Sequence, residues 1–479
     1  PPCPETSCTP RASPTNPQSP GVGKKLAFVF DNDTRLTLVV QTLSEVGYSA
    51  TSSGLEWDLA WMFDPADRVG GLKDAFHTRG WLPQQRVLHV PGMRTLCDKH
   101  FLPKLAARSA RMAGVQPFSP EAFAIPSDET SFMKLIRDYR WVMKSGAHRG
   151  VSLLPETATH LPATFSGVVQ RLVEPVLVDG YATDVGVYVL VAGVAPLRVY
   201  LWDDVLLRTC LKRFPTSDRQ FQDLERWVVD NYQPFHQLPS VAGPAVEHLA
   251  NLELWEGVMG MRGLPEFMPQ VRSYVAALFG ALEAELRDHP QAHAAFFDLL
   301  RLDFVVDRSG KAWLLEANMS PNLLPKNERD LAMKRRLVRE TLAVVGIPRH
   351  DTRPRCHPRC TLEECSACEG CRGGGALAGE YWARGGWGLI FPRESVDVGL
   401  RSVLNWRRIQ EDGPVAVCGQ DIIDRAGRGE YPPWNVSLPH SEMAQDVSST
   451  CFVAVISWTV CLLLVAAVGL RFRGKLRRA

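Results

Sequence analysis

Asp303, Glu316 and Asn318, two carboxylates and an amide, lie in the stretch LDFVVDRSGKAWLLEANMSP, residues 302–321. Branched and aromatic residues flank a polar turn at Asp307-Arg308-Ser309-Gly310, which predicts a hairpin with strands over 302–306 and 311–317. Alternate residues of a strand share a face. Leu314, Glu316 and Asn318 are therefore expected on one face, with Trp313 and Leu315 on the other. If Asp303 lies across the pair on the first face, hard oxygen ligands converge there. Such a set suits Mg²⁺, which takes one or two carboxylates and substrate phosphates. A structural hairpin with solvated acids is the alternative reading of these residues alone.

A second cluster is cationic. The segment 140–144 (RWVMK) reads as a strand ending in Lys144, and a small-residue loop, Ser145 to Val151, follows it with Arg149 and Gly150. An ammonium beside a run of backbone N–H groups is a phosphate clamp in outline. The spacing matches neither a Walker A loop nor a dinucleotide-binding glycine fingerprint, so both of those folds are rejected.

The elements that would position these groups read as α/β. Strands are expected at 26–30, 86–90, 169–173, 183–191 and 197–202, and helices at 37–46 and 94–111. Residues 270–300 read as a pair of core helices from the spacing of Val271, Tyr274, Val275, Leu278 and Leu282. A helix over 326–345 carries Lys326, Arg329, Lys334, Arg335, Arg336 and Arg339, either a solvated face or a contact for an acidic peptide.

The ordered set HVPGM (89–93), WVMKSGAHRGV (141–151), QRLVEPVLVDGYATDVGVYVLV (170–191), PLRVYLWDDVLLR (196–208) and LDFVVDRSGKAWLLEANMSP (302–321) resembles the tubulin–tyrosine ligase-like proteins, over roughly 85–345. The resemblance implies an ATP-grasp fold and ATP-dependent ligation of tyrosine, glutamate or glycine to a protein carboxylate, typically of a tubulin tail. ATP would phosphorylate that carboxylate, and the amine of the free amino acid would attack the acylphosphate. By motif position, Asp303, Glu316 and Asn318 would hold Mg²⁺. Lys144, Arg149, Gly150 and Asp184 would serve ATP. Gln170, Arg171, Leu172 and Val173 would line the adenine pocket, and Arg198, Arg208 and Glu316 would be catalytic. The chain also departs from the pattern. The resemblance implies a lysine and an arginine within 180–188, where Ala182 and Gly186 stand, and the loop after Lys144 is shortened. A phosphate-facing cation is commonly worth about 10²–10³ in rate. A catalytically impaired binding protein is therefore the alternative.

With 479 residues, two or three compact units are expected. The segments are a Pro/Ser/Thr-rich leader (1–23), a small N-terminal α/β domain (24–125), the ATP-grasp domain (126–348), a Cys-rich segment (349–372), a stalk (373–450) with local structure near 381–391, an apolar span (451–470) and a basic tail (471–479). The chain opens at Pro1, which reads as a processed form or a fragment. A net charge of +2 gives no argument for nucleic acid. Cys356, His357, Cys360, Cys365, Cys368 and Cys371 suit zinc or, with Cys418, disulfides. The uncharged run 451–470 has the length of a transmembrane helix. Arg471, Arg473, Lys475, Arg477 and Arg478 follow it, which places the tail in the cytoplasm and the enzyme-like domain in a lumen or outside. The sequons at Asn32 and Asn435 agree with a glycoprotein. A tail-anchored arrangement, with the domain beside cytosolic tubulin, is the alternative.

Overall fold

The computed structural model describes residues 27–29, 34–51, 57–65, 68, 72–73, 85–145, 150–194, 196–290, 295–346 and 385–391. The leader, Arg149, the Cys-rich segment, the sequons at Asn32 and Asn435 and the span 451–470 lie outside them. Among the described residues, no helix is long and apolar enough to cross a membrane.

Four short strands, β1 (Ala27–Val29), β2 (Ser49–Ala50), β3 (Leu59–Ala60) and β4 (Arg86–Leu88), pair in parallel in the order β4-β3-β1-β2. Helix α1 (Thr37–Glu45) lies between β1 and β2 in the chain and ends at Gly47, whose φ of 91° is the left-handed turn expected there. The basic run 94–111 is two helices, α2 (Arg94–Cys97) and α3 (Leu102–Ala113), rather than one. Asp98 is extended between them, and its Oδ1 accepts from the N–H groups of His100 and Phe101.

A second, antiparallel sheet follows: β5 (Ala122–Ile125), then β6 (Trp141–Ser145), β7 (Val151–Leu153) and β8 (Gly167–Arg171), in the order β5-β8-β6-β7. Helix α4 (Glu129–Met133) packs beside it, and Phe132 and Trp141 centre its small core. The chain then returns to the first sheet. A short β9 (Leu177–Val178) leads into two strands of fourteen residues, β10 (Tyr181–Val194) and β11 (Leu197–Cys210), with β12 (Tyr232–Gln233) beyond β11.

Residues 270–300 are not a helix pair. Helix α5 (Asn251–Gly260) precedes one long helix, α6 (Phe267–Arg287), and Phe296–Val306 is strand β13. The apolar run at 295–300 lacks the alternation that marks a half-exposed strand because β13 is buried along its whole length. It pairs with β10 on one side and in parallel with β4 on the other, so the N-terminal parallel strands and the long antiparallel strands form one continuous sheet. Strand β14 (Ala312–Asn318) completes the hairpin, and helix α7 (Glu328–Val344) starts at Asn327, whose side chain accepts from Asp330 N–H at 2.9 Å.

Both faces of this sheet are covered. Val185, Val187, Val189 and Val191 of β10 face one core with Val271, Val275, Leu278 and Leu282 of α6. Tyr188, Leu190 and Ala192, on the other face, meet Val39 and Leu43 of α1 and Leu337, Val338 and Leu342 of α7. Near residue 390 the chain adds one more strand, β15 (Trp387–Phe391), antiparallel to residues 199–202 near the start of β11. Trp387 is 1% exposed and lies 6.4 Å, centroid to centroid, from Trp202.

Candidate active site

The two sheets approach one another at a cleft lined by Lys144, Val168 and Gln170 from the four-stranded sheet. Leu315, Glu316 and Ala317 line it from β14, and Cys97, Lys99, Leu102 and Pro103 close the side. The hairpin supplies its acids with one change of geometry. Asp303 pairs with Glu316, but Phe304 pairs with Leu314, so Leu315 is a bulge. The expected single face for Leu314 and Glu316 is therefore corrected. Leu314 is fully buried in the α6 core, while Glu316 joins Asp303 on the opposite face. Leu315 is turned to the cleft beside Glu316.

Behind Glu316 lies a buried ionic cluster. Arg208 forks onto Asp184 at 2.8 and 2.6 Å, and its Nη2 also reaches Asp303 Oδ2 at 2.8 Å. Arg301 forks onto the same Asp303 at 2.7 and 3.0 Å, and Asn318 Nδ2 donates to Asp303 Oδ2 at 2.9 Å. Two carboxylates and two guanidinium groups thus balance one another out of water, which stabilises buried ions only when every lone pair is met. Burial pushes Asp184 up to about 7 against the pull of Arg208, and the neighbouring charge of Asp303 adds to the rise. Burial also pushes on Asp303, but Arg208 and Arg301 outweigh it and hold Asp303 below the usual carboxylate range.

The Glu316 carboxylate makes no hydrogen bond among the described residues and is open to the cleft. Across from it, burial pushes the Lys144 ammonium down to about 8; Glu316 opposes the shift and Lys99 adds to it. Lys144 is the penultimate residue of β6, and Ser145 N–H donates to Gly150 O at 2.7 Å to bring the two ends of the loop together. A Cβ on Gly150 would lie 1.7 Å from Ser145 Oγ, so glycine permits that approach.

The fit to Mg²⁺ is uneven across the three expected ligands. Glu316 and the Oδ1 of Asn318 accept nothing among the described residues and suit a hard cation. Asp303 is brought to the right face but already accepts from Arg208, Arg301 and Asn318. No group of three or more His, Cys, Asp or Glu residues among those described forms a metal site.

The remaining expected residues divide. Gln170, 4% exposed, lines the cleft. Arg171, Leu172 and Val173 do not. The guanidinium of Arg171 lies 5.0 and 5.1 Å from the rings of Tyr139 and Trp313, and Leu172 N–H donates to Arg140 O. Arg198 is at the wrong end of the sheet. Its guanidinium donates to Pro196 O and Ala192 O in the β10–β11 turn, ten residues from Arg208, about 33 Å along an extended strand. The basic face of α7 is also spoken for. Arg335 and Arg339 pair with Glu45, Arg336 with Asp203, and Lys334 is buried against Asp330 at 3.0 Å. Arg301 was not expected at the site. Its signal was the single cation in the run FFDLLRLDFVV, between Asp298 and Asp303, which a buried strand accepts only with a partner.

The cleft between the two sheets of this α/β fold thus has a half-buried lysine on one wall and an open glutamate on the other. Residues 79–354, more than half of the chain, match the family model described as the tubulin-tyrosine ligase family, and the chain belongs to that family. It is 28% identical to the probable tubulin polyglutamylase ttll-15 of Caenorhabditis elegans, over 56% of this chain and 52% of that protein. It is 26% identical to the tubulin polyglutamylase TTLL5 of Mus musculus, over 66% and 25% of the two chains. With the tubulin monoglutamylase TTLL4 of Mus musculus it shares 24% identity, over 55% and 24%. The chain thus spans about half, or less, of the length of these relatives.

Proposed function

We propose that this chain is an ATP- and Mg²⁺-dependent ligase that joins a free amino acid to a carboxylate of a protein acceptor. The relatives, named as tubulin glutamylases, favour glutamate as the amino acid and a tubulin-like tail as the acceptor. The observation that carries the reading is the pairing of Lys144 and Glu316 across the cleft, backed by the Asp184–Arg208–Asp303–Arg301 cluster. Lys144 would hold the charge of the ATP phosphates. Glu316 and Asn318 would hold the metal, which would neutralise charge on those phosphates. Arg208 is fixed by two carboxylates, so its donors are held in place at no cost of reorganisation during reaction.

The test is glutamylation itself. The full chain is incubated with Mg-ATP, glutamate, tyrosine or glycine and a glutamate-rich acceptor peptide, and the peptide is weighed. Addition of whole glutamyl units is the expected result. An unmodified peptide with all three amino acids contradicts it. The second reading, a binding protein that retains the fold, draws on Ala182 and Gly186, where cations are implied.

The apolar span 451–470 with its basic tail supports single-pass anchoring as part of the same proposal, with the ligase domain lumenal or extracellular. Endoglycosidase sensitivity at Asn435 tests the side. A glycan there places residue 435 in a lumen, and its absence in membrane-inserted protein favours the tail-anchored alternative.

A further inference from the structure

Gly186 and Arg301 stand on neighbouring strands, and one makes room for the other. In the β10–β13 register Gly186 pairs with Asp303, and Tyr188 pairs with Arg301. All four lie on one face of the sheet. The Arg301 side chain leans over Gly186: a Cβ there would lie 2.9 Å from Arg301 Cδ and 3.4 Å from its Nε. A side chain at 186 would require the arginine to shift. Arg301 uses Nε and Nη2 on Asp303, and its Nη1 makes no hydrogen bond among the described residues. The hydroxyl of Tyr188, directly opposite, is buried with no hydrogen-bond partner. Asp330 Oδ1, from the first turn of α7, is buried and unpartnered as well. A guanidinium nitrogen with no hydrogen bond beside a buried, unpartnered phenol points to a ligand oxygen.

We propose that Arg301, reaching from β13 into the space above Gly186, binds an oxyanion of a substrate together with Tyr188. The oxyanion is a phosphate of ATP or the carboxylate of the incoming amino acid. The arrangement supplies from β13 the cation that β10 lacks at residue 186, and so makes the departure at Gly186 an exchange between adjacent strands rather than a loss. The assignment deepens the ligase reading and rests on it.

The experiment measures binding of Mg-ATP and of free glutamate to the full chain by calorimetry, with melting as the check on folding. Arg301→Gln is expected to weaken one of them by about tenfold to a hundredfold, the loss of one charge-assisted contact. Weaker Mg-ATP binding identifies the phosphate, and weaker glutamate binding identifies the carboxylate. The double variant Gly186→Arg/Arg301→Gly moves the guanidinium to β10 without the 2.9 Å clash, and is expected to recover most of the loss. It also carries the test alone if Arg301→Gln fails to fold. Unchanged binding in Arg301→Gln overturns the proposal, as does a folded double variant that recovers nothing. A wild-type chain that binds both ligands but ligates nothing defeats the ligase reading while leaving this assignment standing. A wild-type chain that binds neither defeats both.

Discussion

Lys144 is the residue whose chemistry is most exposed to measurement. Its ammonium is pushed to about 8 by burial, against about 10.4 in an unfolded chain. Between those values the unfolded chain binds more protons than the folded one, so the stability contributed through Lys144 rises with pH across that window and is lowest below it. Phosphate binding favours the charged form, so ATP and a proton bind together above pH 8. The expected outcome is a Mg-ATP dissociation constant that grows between pH 7 and 9, with the pH dependence removed in Lys144→Met. At Asp184, replacement by Asn leaves Arg208 with one carboxylate in a buried site, and a loss of about 3 kcal/mol in denaturant unfolding is expected. These residues differed in how far they were legible. Lys144, Gln170, Arg208, Asp184 and Asp303 came from the resemblance by motif position; Lys144 and Gln170 line the cleft, and Asp184, Arg208 and Asp303 join in one ionic cluster. Arg198 was misplaced because it repeats the local chemistry of Arg208 while sitting at the opposite end of the same strand.

At the scale of elements, the long hairpin of β10 and β11 was visible as two apolar runs, but its extent was not. Each strand is fourteen residues because both faces are covered, and coverage depends on helices distant in sequence. The bulge at Leu315 is a similar case. Period-two alternation places Leu314 with Glu316, and only the partner strand shows that one residue is extra. At the sheet's edge, local structure was expected near 381–391 and β15 falls there, but its pairing with β11, some forty residues beyond α7, was not legible. Its anchor is Trp387, packed against Trp202, whose indole N–H donates to Glu340 of α7 at 2.7 Å. Trp387→Ala is expected to cost about 3–5 kcal/mol, read as a lowered midpoint in chemical denaturation. A midpoint within 0.5 kcal/mol of wild type would show that β15 is not part of the folded core.

Across the whole molecule, one continuous sheet joins the N-terminal parallel strands to the long antiparallel ones, and the cleft opens where the four-stranded sheet meets it. Much positive surface that sequence suggests for an acidic partner is consumed internally. Arg339 is held by Glu45 of α1, and such exposed pairs contribute little. Arg339→Ala is therefore expected to leave stability within about 0.5 kcal/mol and the KM for an acidic acceptor within twofold. A tenfold rise in that KM would return α7 to the role of acceptor contact. The central claim is that this cleft consumes ATP through Glu316. The most direct measurement is acceptor-dependent ATP consumption by the full chain with Mg²⁺, glutamate and a glutamate-rich peptide, run beside Glu316→Gln. The account predicts consumption in the wild type that requires the peptide and falls at least about 10²-fold in the variant, with melting unchanged. Consumption that persists in Glu316→Gln, or a folded wild type that neither binds nor consumes ATP, would contradict it.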